Sequence, residues 1–309
     1  MKRSLSKKIV KRALIGTGVL AAVALVAFAS FAALELQAYE ESLEKTYDVP
    51  VPTLAASTDP EIIARGNHVA TALAGCANKD CHGADLGGGN TLDMGPIGKF
   101  TGPNITQGGL GAVYTDGELA RLVKHGIKKD GRSVRFMPVQ DFSWLPDDDV
   151  TALVSYLRSV PAVARPNGPT SLTALGKVLD RQDLVLIDIA RRIDHTRITT
   201  SPAPSANADY GRFVARACSG CHGEHFGGGP IPGAPPSLPV PRNLTPDPTG
   251  LAGWTYQEFE RALTQGVRKN GDALNPFMPY ETFRGLDEAE KRALYAYLQS
   301  IPPRKQGER

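Results

Sequence analysis

The chain opens with its sharpest separation of polar from apolar positions. Six cations, Lys2, Arg3, Lys7, Lys8, Lys11 and Arg12, come before any acidic residue, and 22 uncharged positions follow from Ala13 to Leu34. About 20 apolar residues in a helix cross the hydrocarbon core of a bilayer, and flanking cations stay on its cytoplasmic side. The pattern predicts a single-pass anchor in the cytoplasmic membrane, with everything after it in the periplasm. A cleaved signal peptide is the competing reading, with Ala27-Phe28-Ala29 as a small-x-small site. Its apolar region would span about 7–15 residues, shorter than the run found here.

Beyond the anchor, no alternating apolar and polar stretch of any length appears, so an all-α fold is expected. Asp59-Pro60 reads as the cap and first position of a helix running toward Cys76. Its counterpart begins near Ala206. Thr115 with Glu118 opens a second helix as a capping box, ending at His125, and Trp254-Thr255-Tyr256-Gln257-Glu258 opens the equivalent, ending at Gly266. Final helices from about Asp147 to Ser159 and from Asp287 to Ser300 are stopped by Pro161 and Pro302.

These paired elements belong to an internal repeat. Cys81-His82-Gly83 and Cys221-His222-Gly223 recur at an offset of 140, and Asn104-Ile105-Thr106 and Asn243-Leu244-Thr245 at 139. Phe136-Met137-Pro138 and Phe277-Met278-Pro279 recur at 141, as do the segments at Tyr156 and Tyr297. The expected organisation is a basic tail and anchor (1–36), a stalk (37–58), a first domain (59–161), a connector (162–205), a second domain (206–303) and a tail (304–309). The stalk reads as helical at first and extended from Val49, and the connector as holding one or two short amphipathic helices.

The net charge of +3 belongs to the N-terminus: residues 13–309 hold 29 basic and 32 acidic side chains. No clustered basic face is left for nucleic acid. Gly (32) and Pro (24) are more frequent than average, which points to turn-rich loops around compact helices.

The chain has four cysteines, Cys76, Cys81, Cys218 and Cys221. An exported protein could pair them in disulfides, but each pair is followed at once by a histidine, His82 or His222, for which a disulfide has no use. Cys-x-x-Cys-His attaches c-type haem: two thiols reach one porphyrin and the adjacent histidine reaches its iron. Cys218, Cys221 and His222 satisfy the motif. In the first repeat four residues, not two, separate Cys76 from Cys81. The extra residues either loop out, leaving double attachment intact, or the site is reduced to a single thioether or has lost its haem. Two covalently bound haem c groups are the expectation.

A second axial ligand is sought among Met1, Met94, Met137 and Met278. Met137 and Met278 lie 55 and 56 residues after their histidines, each in Phe-Met-Pro before the last helix, whereas Met94 has no counterpart. They are the candidate ligands, and a His/Met pair raises a haem's potential. His68 and His125 are expected on helix surfaces, His195 in the connector and His225 near a haem edge. Arg132, Arg135 and Arg268 are candidates to neutralise propionates, with plain surface charge as the alternative. The glycine runs 87–89 and 227–229 follow no strand, so they are not phosphate loops, and close approach of backbone to the porphyrin is expected of them.

In this order of motifs each repeat resembles a class I cytochrome c domain, with Gly66 and Tyr156, and Gly211 and Tyr297, at the crossing of first and last helices. The whole resembles the membrane-bound cytochrome subunits of periplasmic alcohol and aldehyde dehydrogenases. Asn243-Leu244-Thr245-Pro246, Gly253-Trp254 and Met278-Pro279-Tyr280 carry that likeness. It implies two tandem cytochrome c domains behind the anchor, a dehydrogenase as donor, and an oxidase or soluble cytochrome as acceptor. The expected role is electron transfer rather than catalysis. A dihaem peroxidase or a thiosulfate-oxidising cytochrome is the alternative. The first needs an open iron position and the second a cysteine ligand, yet both sites have a methionine and all four cysteines are used by the motifs.

Overall fold

With neither charge nor proline between Ala13 and Leu34, the chain stays helical from Lys2 to Glu44 (α1), and Leu14, Leu20 and Phe28 on it are exposed. It is one N-terminal helix long and apolar enough to cross a membrane. The structure, a computed structural model, describes residues 2–309 apart from 186, 198, 201, 233 and 235–237.

The anticipated caps are in place. Asp59 accepts from the Glu61 amide at the head of α2 (Pro60–His68), which continues as a π-helical turn over Val69–Leu73. Thr115 and Thr255 form capping boxes with Glu118 and Glu258 at α3 (Asp116–His125) and, later in the chain, α8 (Tyr256–Gln265). Both helices end on a left-handed glycine, Gly126 or Gly266, the residue that takes this conformation without strain. The final helix of the first repeat is α4 (Asp147–Ser159). The connector contributes α5 (Ala174–Arg181); the apolar stretch from Leu184, where the second of the one or two expected short helices would fall, includes residue 186, outside the described residues, and the described ones around it form only the 3-10 turn Ala190–Arg192. The second repeat holds α6 (Ala208–Val214), α7 (Arg216–His222), the single turn α9 (Tyr280–Phe283) and α10 (Glu288–Ser300).

The first and last helices of each repeat cross at a glycine. A Cβ on Gly66 would lie 1.9 Å from the Ala152 carbonyl oxygen, and one on Gly211 equally close to that of Ala293. Only a residue without a side chain lets α2 meet α4, and α6 meet α10, at that distance.

The all-α expectation needs correction: the fold is mostly helical but includes a three-stranded antiparallel sheet. β1 (Thr91–Asp93) pairs with β2 (Gly98–Thr101), and β2 with β3 (Ser171–Leu172). Strands of two to four residues carry too little alternation to be seen in sequence, and β3 reaches its partner from the connector. Behind the sheet Ile97, Phe100, Val185 and Ile187 form a small core, which Met94 and Phe136 flank.

The C-terminal end of α1 and the segment that joins it to α2 lie along the first repeat and the connector. Tyr39 is buried between Arg135 and Lys177, Glu40 pairs with Lys177 at 2.6 Å, and Glu44 with Arg132 at 3.1 Å. Farther on, the Tyr47 amide donates to Gly131, Arg121 donates to the Val49 carbonyl, and the Ala56 amide donates to Asp116.

The two repeats share one apolar core, in which Trp144 meets Phe213 edge-on at 5.0 Å. At its centre Glu290 is fully buried. His68 Nε2 lies 2.8 Å from both its oxygens, and Tyr210 and Arg65 are within 3.4 and 3.7 Å. His68, expected on a helix surface, is therefore an inter-repeat contact. Burial alone would raise the Glu290 carboxyl's pKa, but the His68 contact, the Asp287 amide and Arg65 together outweigh it and the net shift is downward.

Candidate functional site

In the second repeat a short helix arranges the motif. α7 ends on His222, so one turn places Cys218 and the histidine on the same side, and Gly223, at φ 84°, stops the helix. His222 is buried, and its ring is fixed by a hydrogen bond from Nδ1 to the Arg242 carbonyl at 2.6 Å. A carbonyl only accepts, so Nδ1 carries the proton and Nε2 is left with its lone pair. Burial also holds the ring's pKa below its ordinary value, keeping the neutral form that can bind a metal.

The first repeat reaches the same arrangement by another route. The four residues between Cys76 and Cys81 fold into tight turns in which the His82 amide donates to the Cys76 carbonyl, and the Cys81 and Gly83 amides donate to Asn78. His82 Nδ1 then donates to the Pro103 carbonyl at 2.8 Å, and burial lowers its pKa as it does for His222. The longer spacing is absorbed locally and the histidine keeps its anchor. None of the four cysteines is paired in a disulfide. Burial, and next to it the neighbouring thiol, pushes Cys76 and Cys218 each up to about 12.

Cys218, Cys221, His222 and Met278 line one cavity of ≈ 710 Å³, with Trp254 and Arg268 also on its wall. That volume lies within the range of about 300–1,000 Å³ usual for bound organic cofactors. Arg268 Nε is buried with no hydrogen-bond partner, the kind of orphaned donor that an anionic group on a ligand would satisfy. Two thiols, an oriented neutral imidazole, a thioether and an unpartnered guanidinium fit a covalently attached haem with its propionates. Met137, at the equivalent place in the first repeat, packs among Leu122, Val134, Val139, Ile189 and Ile193.

Several sequence-based assignments come out differently. Arg135 meets Asp180 and Asp188 and donates to the Ser42 carbonyl, and Arg132 meets Asp130 and Glu44, so these two brace the protein itself. His125 and His195 face each other with Nδ1 atoms 3.2 Å apart. His225 is exposed and does not line the cavity. The glycine runs are closely approached by other backbone: a Cβ on Gly88 would lie 2.4 Å from the Gly102 carbonyl oxygen, and one on Gly227 2.0 Å from that of Glu308.

Sequence reasoning missed what the Asn-x-Thr segments do. Asn104 donates to the Val163 and Arg165 carbonyls, and Asn243 to that of Arg304, while Thr106 and Thr245 accept from the Val163 and Arg304 amides. Each pair clamps the chain that follows the last helix of its repeat, directly beside the carbonyl that holds the histidine. Recurrence of both residues in both repeats was the available signal.

The family model described as Cytochrome c matches residues 63–161 and 210–302. Among similar proteins, the cytochrome c subunit of alcohol dehydrogenase (quinone) from Gluconacetobacter polyoxogenes is 39% identical over 106 residues, 32% of this chain and 23% of that protein. The gluconate 2-dehydrogenase cytochrome c subunit of Pantoea cypripedii is 33% identical over 121 residues, 37% of this chain and 27% of its own. A diheme cytochrome c-type protein of Cereibacter sphaeroides is 31% identical over 62 residues, 20% of this chain and 21% of that protein. The matched stretches thus span at most 27% of these three relatives' own length.

Proposed function

The chain belongs to the cytochrome c family and carries two covalently bound haem c groups, and from that premise we propose that it is a membrane-anchored periplasmic electron carrier serving a dehydrogenase. In this reading α1 spans the cytoplasmic membrane, and the haem domains are residues 59–161 and 206–303. Cys76 and Cys81, and Cys218 and Cys221, form the thioethers. His82 with Met137, and His222 with Met278, would hold the two irons. Bound there, each haem supplies a one-electron ferric–ferrous couple.

The protein's own share is to hold each histidine neutral and in one orientation, and to surround the site with apolar side chains. The observation that carries the reading is the convergence of Cys218, Cys221, His222 and Met278 on one cavity, beside the unpartnered Arg268. The similar proteins named as dehydrogenase cytochrome subunits support a dehydrogenase as donor; an oxidase or a soluble cytochrome is the proposed acceptor. Two methionine-capped sites leave no place for substrate at iron, which favours transfer over catalysis.

The test uses the full chain in detergent. The pyridine haemochrome and the mass should give two covalent haems, and carbon monoxide should leave the ferrous spectrum unchanged. Carbon monoxide binding at either haem would overturn the carrier reading in favour of a haem enzyme.

A further inference from the structure

The two repeats differ most beside their methionines. In the second, Phe277 and Val240 line the mouth of the cavity and are 42% and 51% exposed. In the first, the equivalent Phe136 stacks on Phe100 at 3.7 Å, and its amide donates to the Ile187 carbonyl at 2.9 Å. Thr101, the counterpart of Val240, is 8% exposed within the sheet. The hairpin and the connector thus cover Phe136 and Thr101 on the first repeat, whereas Phe277 and Val240 stay exposed on the second. Both repeats are compared in the same state, so the difference belongs to the chain.

We propose that a redox protein partner docks on the second repeat, over Phe277 and Val240, and that the first repeat is closed to soluble partners by the chain's own sheet and connector. This rests on the carrier reading above. The internal cover shows what such a surface accepts: an apolar face of Phe100, Val185 and Ile187, flanked by Asp180 and Asp188, whose carboxylates meet Arg135. The open mouth offers matching chemistry. Phe277 and Val240 supply the apolar centre. Arg242 at the rim is exposed and makes no ion pair among the described residues, while Lys269 is shared with Glu258 at 3.2 Å. The occupant is therefore a one-electron redox protein with an apolar patch bordered by carboxylates. One electron crosses the contact between the ferrous second haem and the partner's oxidised centre, or in the reverse sense, with no proton or bond exchanged.

A gold electrode coated with a mixed methyl- and carboxylate-terminated monolayer reproduces that partner surface without needing its identity. The full-length holoprotein in detergent should show two waves, the second haem's being the one that moves in Met278→Ala. That wave should exchange electrons at least tenfold faster than the first. Phe277→Asp and Arg242→Glu should each slow it about tenfold, with the potential of the first wave and the methionine–iron charge-transfer band retained. A faster first wave, or rates unchanged in Arg242→Glu, overturns the assignment while the dihaem reading stands. Absence of covalent haem, read separately from the haemochrome, overturns both.

Discussion

Met137 and Met278 occupy the same position of the repeat in different surroundings, one within a small apolar cluster and one on a cavity wall. If both are ligands, the oxidised protein has two sulfur-to-iron charge-transfer bands in the near infrared. Either Met→Ala variant should then remove about half of the intensity and lower the potential of the altered haem, because a thioether favours ferrous iron. An unchanged band in Met137→Ala would exclude that residue. Met94, which flanks the small core behind the sheet, is a packing residue and its replacement should leave the band intact.

At the same scale, Asp141 sits where the repeats touch. A Cβ on Gly220, between the cysteines of the second motif, would come within 2.7 Å of its carboxylate, and burial pushes its pKa from 3.8 up to about 6. The folded state therefore holds this proton more tightly than the unfolded one. Below about pH 3 both states are protonated and nothing is lost. As pH rises to 6 the unfolded state ionises first and stability falls, by about 3 kcal/mol at most. Asp141→Asn should match the parent protein in urea unfolding at about pH 3 and exceed it at about pH 7.5. Equal stability at both values would show the carboxylate to be solvated.

Among the elements, what was legible in the sequence was local. The pairs Thr115 with Glu118, Thr255 with Glu258 and Asp287 with Glu290 announce helix starts because a cap is a contact between residues three apart. The sheet was not legible, since β2 finds β3 some 70 residues away and neither is long enough to show a period. For the same reason Gly87–Gly89 were assigned to the cofactor: sequence shows that backbone comes close there, not what comes close to it. His68 looked like surface until the other repeat was placed against it. The helix crossing is the element-level prediction. Gly211→Ala would force its methyl against the Ala293 carbonyl at 1.9 Å, so α6 must move off α10. A loss of about 1–3 kcal/mol is expected from overpacking, read as an earlier midpoint in thermal unfolding, whereas Gly253→Ala, with open space around it, should cost only the strain of its positive φ. If both variants melt alike, close packing is not what Gly211 serves.

For the whole molecule, the decisive feature is that the N-terminal helix does not end where its apolar run ends. α1 continues ten residues past Leu34 to Glu44, about 15 Å at 1.5 Å per residue. Along that length Glu35 lies 3.7 Å from Arg181, Tyr39 is buried, and Glu40 and Glu44 are both paired. The first repeat is thus clasped to α1, and the second is joined to the first through a common core and the His68–Glu290 contact. A flexible tether would let the haem domains tumble above the membrane; a clasped helix fixes both at one tilt. Membranes should retain full-length protein, beginning near Met1, through high-salt washing, because apolar burial rather than charge holds a spanning helix. In aligned membranes the EPR signals of both haems should then depend on the angle to the field. Tyr39→Ala combined with Glu40→Lys, which opens the clasp without touching the span, should keep the protein in the membrane but flatten that angular dependence. A flat angular dependence in the unaltered protein would mean that the domains swing freely, and a mature N-terminus near Ser30 in a soluble periplasmic form would remove the anchor itself.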